Sequence, residues 1–118
     1  MENNVRPWGR YDILHEEETC KVKKITVEPK GILSYQYHHK RAEQWTVISG
    51  VLTVILEGKQ IVLQPGESIQ IPQGAKHRCL NQGWTNACFI EVQTGTYFGE
   101  DDIIRIEDEY QRHLKPIK

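Results

Sequence analysis

Long apolar runs are missing from this sequence. No stretch approaches the roughly 20 residues that span a bilayer as a helix, and the opening residues MENNVRPWGRYD lack the apolar core of a secretory signal. The expectation is a soluble, cytoplasmic chain. A surplus of either charge is missing too: 15 basic residues stand against 16 acidic ones, for a formal net charge of -1. Without a net field, neither a nucleic acid nor a membrane is an expected partner. Cysteine is scarce, and Cys20, Cys79 and Cys88 are odd in number and far apart. Reduced, partly buried thiols are therefore expected rather than a disulfide framework. Helical periodicity of useful length is absent before residue 100, and internal repeats are absent throughout.

What the sequence does contain is a series of short strand-like runs punctuated by turns. Residues 21–28 (KVKKITVE) stop at Pro29–Gly31, TVISG at Gly50, VLTVILE at EGK, QIVL at QPGE and SIQI at PQGAKH, and ACFIEVQTG follows the polar QGWTN. Such closely spaced, β-branched segments predict an antiparallel sandwich or barrel. At 118 residues the chain is expected to form one domain, 1–118, with a core of its own. Residues 100–114 (EDDIIRIEDEYQRHL) read as a short strand leading into a helix or turn.

Within QYHHKRAEQWTVISG (36–50), Gln36 and His38 are two apart and so share one face of a strand. Glu43 opens the next run, and His77 follows the PQGAK turn. An amide oxygen, a carboxylate and two imidazoles suit a divalent ion such as Zn²⁺, Mn²⁺, Fe²⁺, Co²⁺ or Ni²⁺. Read alone, a doubled histidine beside charged residues is more often a solvated loop.

The spacing His38-x4-Glu43-x6-Gly50, followed by Gly66-x5-Pro72-x-Gly74-x2-His77-x3-Asn81, resembles the two motifs of the cupin superfamily, with Gln36 where many cupins have a first His. The resemblance implies an all-β fold, the cupin-type double-stranded β-helix or jelly-roll barrel, with a short C-terminal helix or turn. Gln36, together with Arg6-Pro7-Trp8-Gly9, Arg41-Ala42-Glu43-x-Trp45 and the run from Ile90 to Arg105, is similar to the type II mannose-6-phosphate isomerase family. Members of that family are often fused to a mannose-1-phosphate guanylyltransferase, a half absent from these 118 residues. Gln44 and Gln111 depart from the family pattern.

The resemblance implies a metal-dependent isomerase interconverting mannose 6-phosphate and fructose 6-phosphate, with the divalent metal (Zn, Mn, Co or Ni) on Gln36, His38, Glu43 and His77. A small-molecule sugar phosphate is the implied partner. Arg41 is the expected electrophilic and phosphate-binding residue, since arginine meets phosphate as a two-toothed fork; Arg105 and Arg112 are further phosphate candidates. Glu91 shares a face with Phe89 and Gln93. If that face lines the barrel it is a base of raised pKa; otherwise it is a structural partner of an arginine. Gln93, Glu100 and Asp102 are candidate hydroxyl contacts. Two rivals stand beside this reading: a non-catalytic sugar-binding cupin, and a metal-dependent dioxygenase, against which Gln36 argues. A homodimer joined at strand edges is also expected.

Overall fold

The structure, a computed structural model, describes residues 4–107. Where apolar and polar residues alternate, the chain lays down strands, and their inward faces decide the architecture. The described residues form eleven: β1 (Val5–Arg6), β2 (Gly9–Glu16), β3 (Cys20–Val27), β4 (Tyr35–His38), β5 (Arg41–Ser49), β6 (Leu52–Leu56), β7 (Lys59–Leu63), β8 (Ser68–Ile71), β9 (His77–Leu80), β10 (Ala87–Gly95) and β11 (Ile103–Glu107). They make a six-stranded sheet in the order β1-β2-β3-β10-β5-β8 and a five-stranded sheet in the order β11-β4-β9-β6-β7. Every strand pair is antiparallel.

Between the sheets the interior is graded. Along β10 the inward side chains run Ala87, Phe89, Glu91, Gln93, and along β5, read backward, Val47, Trp45, Glu43, Arg41, all buried. The first two of each series join Val27, Leu52 and Val54 in the apolar core. That half supplies the hydrophobic driving force, about 25 cal/mol per Å² of apolar surface removed from water. The second two bring the charged Glu91, Glu43 and Arg41 and the polar Gln93 into the barrel, where burial is costly unless the groups find partners.

The C-terminal ambiguity resolves as a 3-10 turn at Glu100–Asp102 followed by β11, which pairs with β4. The expected helix or turn beyond residue 107 lies outside the described residues. All three cysteines are free thiols, with Cys79 fully buried. No helix of the described residues is long and apolar enough to cross a membrane. Gly95 ends β10 at φ 147°, and a Cβ there would overlap the Lys40 carbonyl oxygen, so only glycine fits.

Candidate metal centre

Four short segments converge on one point inside the polar half of the barrel. The turn from His38 to Arg41 is held by hydrogen bonds from three directions. Gly74 N donates to His38 O at 2.8 Å, Thr96 N donates to Lys40 O at 3.1 Å, and the amides of His39 and Lys40 donate to the Asp102 carboxylate at 3.3 and 2.9 Å. This turn fixes where β4 ends and β5 begins, and so sets His38 and Glu43 relative to one another.

His38 Nε2 lies 3.2 Å from Glu43 Oε2, and His77 Nε2 lies 3.8 Å from Glu43 Oε1. The three potential ligand atoms all fall within 4.8 Å of one another and all three residues are buried. Bonds of roughly 2.1 Å from one ion hold its ligands about 3 to 3.5 Å apart, which is close to the two spacings seen. His77 Nδ1 is 2.9 Å from the Ala75 carbonyl, a contact that needs a proton on Nδ1 and leaves the Nε2 lone pair facing Glu43. Gln36 stands opposite His77 in the β4–β9 register, and its buried Oε1 has no hydrogen-bond partner among the described residues. Burial, then the neighbouring Arg41, pushes His38 down to about 3, and burial lowers His77 as well. Both imidazoles are thus neutral at ordinary pH, the form that binds metal. Gln36, His38, Glu43 and His77 fit a divalent ion.

A cavity opens onto this centre, lined among others by Arg6, Tyr11, Lys23, Arg41, Glu91 and Arg105. Glu91 is buried, with Oε1 accepting from Trp45 Nε1 at 3.1 Å and Oε2 from Gln93 Nε2 at 2.7 Å. The same indole N–H reaches Glu43 Oε1 at 3.0 Å, so Trp45 bridges the two carboxylates. Burial, and then the nearby Glu43 charge, raises Glu91 from 4.5 to about 7. Arg41 Nε donates to Glu43 Oε2 at 2.9 Å, while its buried Nη1 has no partner among the described residues.

The other candidates from the sequence fall elsewhere. Gln93 is fully buried but does not line the cavity; it holds Glu91. Asp102 is taken up by the 39–40 amides rather than facing the cavity. Glu100 sits in the 3-10 turn, and its side chain, like Arg112, lies outside the described residues. Asn81 is a backbone anchor, donating to Val27 O and Thr85 O. Sequence reasoning passed over Lys23, although its position two before Ile25 and four before Val27 put a lysine on the buried face of β3. It quoted Arg6 only as part of a motif. A second cluster, His15, Glu17 and Cys20, lies at the exposed β2–β3 turn, where Glu17 meets His15 Nε2 at 3.1 Å and Cys20 Sγ at 3.4 Å.

Two facing antiparallel sheets around a buried cluster of histidines and a glutamate define a cupin. KdgF from a Halomonas species, a solved structure 17% identical, shares the fold with a TM-score of 0.72 over 84% of this chain and 87% of its own. The chain belongs to the mannose-6-phosphate isomerase C-terminal family, whose sequence profile matches residues 1–108. It is 46% identical over 107 residues to a mannose-1-phosphate guanylyltransferase of Escherichia coli, covering 91% of this chain and 23% of that protein. Identity to the alginate biosynthesis protein AlgA of Pseudomonas aeruginosa is also 46%, over 111 residues, 94% of this chain and 23% of that one. The chain therefore spans about a quarter of the length of these relatives.

Proposed function

We propose that this domain is a metal-dependent aldose-ketose isomerase acting on mannose 6-phosphate and fructose 6-phosphate. The observation that carries this reading is the pairing, inside one cavity, of a metal-compatible donor set with a buried carboxyl poised near neutrality. When bound at Gln36, His38, Glu43 and His77, a divalent ion supplies Lewis-acid polarisation for the sugar's carbonyl and hydroxyl oxygens.

The remaining work falls to the chain's own groups. Glu91, ionised above about 7, takes the proton from C2 of the open-chain aldose to give the enediolate and returns it to C1, the task of a base matched to the operating pH, while the hydroxyl proton on O2 passes to O1 so that C2 becomes the carbonyl carbon. Gln93 and Trp45 hold its two oxygens, so the carboxylate turns little between the two carbons. Arg41, with Nη1 buried and unbonded among the described residues, donates to the oxygen on which negative charge develops. The apolar wall formed by Ile25, Leu33 and Phe89 limits water access to the carbanion.

Turnover of mannose 6-phosphate in the presence of Mn²⁺, Co²⁺ or Zn²⁺ tests this. Isomerisation is expected with at least one ion, absent in His77→Ala, and about 10² to 10⁴-fold slower in Glu91→Gln. Failure to turn over with any of the ions, alongside measurable binding of the sugar phosphate, establishes the binding-only cupin instead.

A further inference from the structure

The chain entering β4 breaks its own alternation just before the metal donors. Ile32 bridges Leu80 and Gln36 pairs with His77, so four residue steps on this side oppose three on the side of β9. The extra residue makes a β-bulge, a feature that re-aims side chains where a strand borders a site. Its effect shows in burial. Leu33 and Ser34, neighbours that a regular strand would send to opposite faces, are both buried and both line the cavity beside the metal centre. The bulge is pinned at Leu33, whose amide donates to Cys79 O at 2.9 Å and whose carbonyl accepts from Arg78 Nε at 3.0 Å.

Leu33 belongs in an apolar wall, but Ser34 does not. It is 1% exposed, and its Oγ makes no hydrogen bond among the described residues. A serine hydroxyl ordinarily finds a neighbouring backbone group, and a buried one left unpaired destabilises the fold. Alanine would occupy the same place without that penalty. Gln36 and His38, two and four residues further on, line the same cavity, so the unpaired hydroxyl stands in one row with two of the metal donors.

We propose that Ser34 is a specificity residue for the sugar, its hydroxyl pairing with a secondary hydroxyl on C4 or C5, away from the reacting carbons. A serine Oγ both donates and accepts, and so does a sugar hydroxyl, so each satisfies the other without burying a further charge. The spacing agrees. A strand rises about 3.3 Å per residue, which sets Ser34 roughly 6 to 7 Å from Gln36. From C2 to C5, three bonds of about 1.5 Å cover close to 4 Å in zigzag, and a hydroxyl hydrogen bond adds about 2.8 Å. A sugar whose first two carbons lie at the Gln36 end of the cavity therefore presents its C4 and C5 hydroxyls at Ser34.

The inference rests on the isomerase reading for the direction in which the sugar lies, so binding and turnover are measured separately. Calorimetric titration of the metal-loaded whole chain with fructose 6-phosphate, 4-deoxyfructose 6-phosphate and 5-deoxyfructose 6-phosphate is run for wild type and Ser34→Ala, with melting temperature and metal content determined for both. Because alanine removes a hydroxyl left unpaired in the free protein, Ser34→Ala is expected to melt at or above wild type and to hold metal equally. It is expected to bind fructose 6-phosphate about three- to tenfold more weakly, while at least one deoxy ester binds both proteins alike and so locates the partner on that carbon. The assignment is overturned if Ser34→Ala binds fructose 6-phosphate as wild type does, if wild type itself does not bind it, or if both deoxy esters lose as much as the parent. It is equally overturned if the variant melts lower and weakens all three esters, the mark of a packing role. The expected binding pattern in a chain that turns nothing over keeps the contact and removes the isomerase reading. Turnover of mannose 6-phosphate without that pattern does the reverse.

Discussion

At the scale of single residues, Glu91 governs how the domain responds to pH. Its carboxyl is raised to about 7 in the folded chain, against an unfolded value near the ordinary 4.5. The native state thus keeps a proton that the unfolded chain has already lost across this window. Stability contributed by that proton is complete below about 4.5, declines as pH rises, and is gone above about 7. For the metal-free domain, Glu91→Gln is expected to leave stability unchanged near pH 4 and to raise it at pH 8 by as much as about 3 kcal/mol. Urea melts of both proteins at the two pH values measure this, and equal stabilities at pH 8 contradict the raised pKa. With metal loaded, the acid limb of activity is expected at or below about 7, because a cation beside Glu43 favours ionised Glu91.

At the scale of elements, the junctions carry more risk than the strands. Gly95→Ala forces a methyl onto the Lys40 carbonyl at a left-handed φ, beside the turn that aligns His38 with Glu43. A loss of roughly 2 to 4 kcal/mol is expected, readable as a lower denaturant midpoint with reduced metal retention. The β4–β9 contact is the thinnest in the second sheet, registered only at Gln36 with His77, while the donor set spans β4, β5 and β9. Chelation of a metal-loaded sample is therefore expected to lower the melting temperature by several degrees and to speed amide exchange in β4 and β9 ahead of the β3–β10 pair. Uniform acceleration would argue against a clamp at this place. Much of this was legible in the sequence. Glycine and proline turns bounded β3, β5, β6, β7, β8 and β10, and period-two spacing put Gln36 with His38, and Glu91 with Phe89, on shared faces. Which strands lie side by side was not legible, because register depends on packing between distant segments. For that reason Asp102 read as a sugar contact when its partners were the amides of residues 39 and 40, and the proximity of Lys23 to Glu91 went unseen.

At the scale of the molecule, near-neutrality overall coexists with a cavity lined, among the described residues, by five basic side chains and two carboxylates. Capture of a phosphorylated sugar is thus expected to weaken several-fold between about 0.05 and 0.5 M salt, as screening lengths shrink from above 10 Å to below 5 Å. Affinity for the unphosphorylated sugar should stay flat, and the comparison is made by measuring the two constants across a salt series. The Asp102 bridge to His39 and Lys40 also bears on how the protein comes into being. Residues leave the ribosome in chain order, so Gln36, His38, Glu43 and His77 are all exposed to the cell's ions before Asp102 emerges to fix the turn between two of them. A nascent domain holds its donors early and its donor geometry late. On the metal-dependent reading, discrimination among competing ions is consequently a property of the 3-10 turn that carries Asp102, and an ion taken up sooner meets a looser site from which it can still exchange.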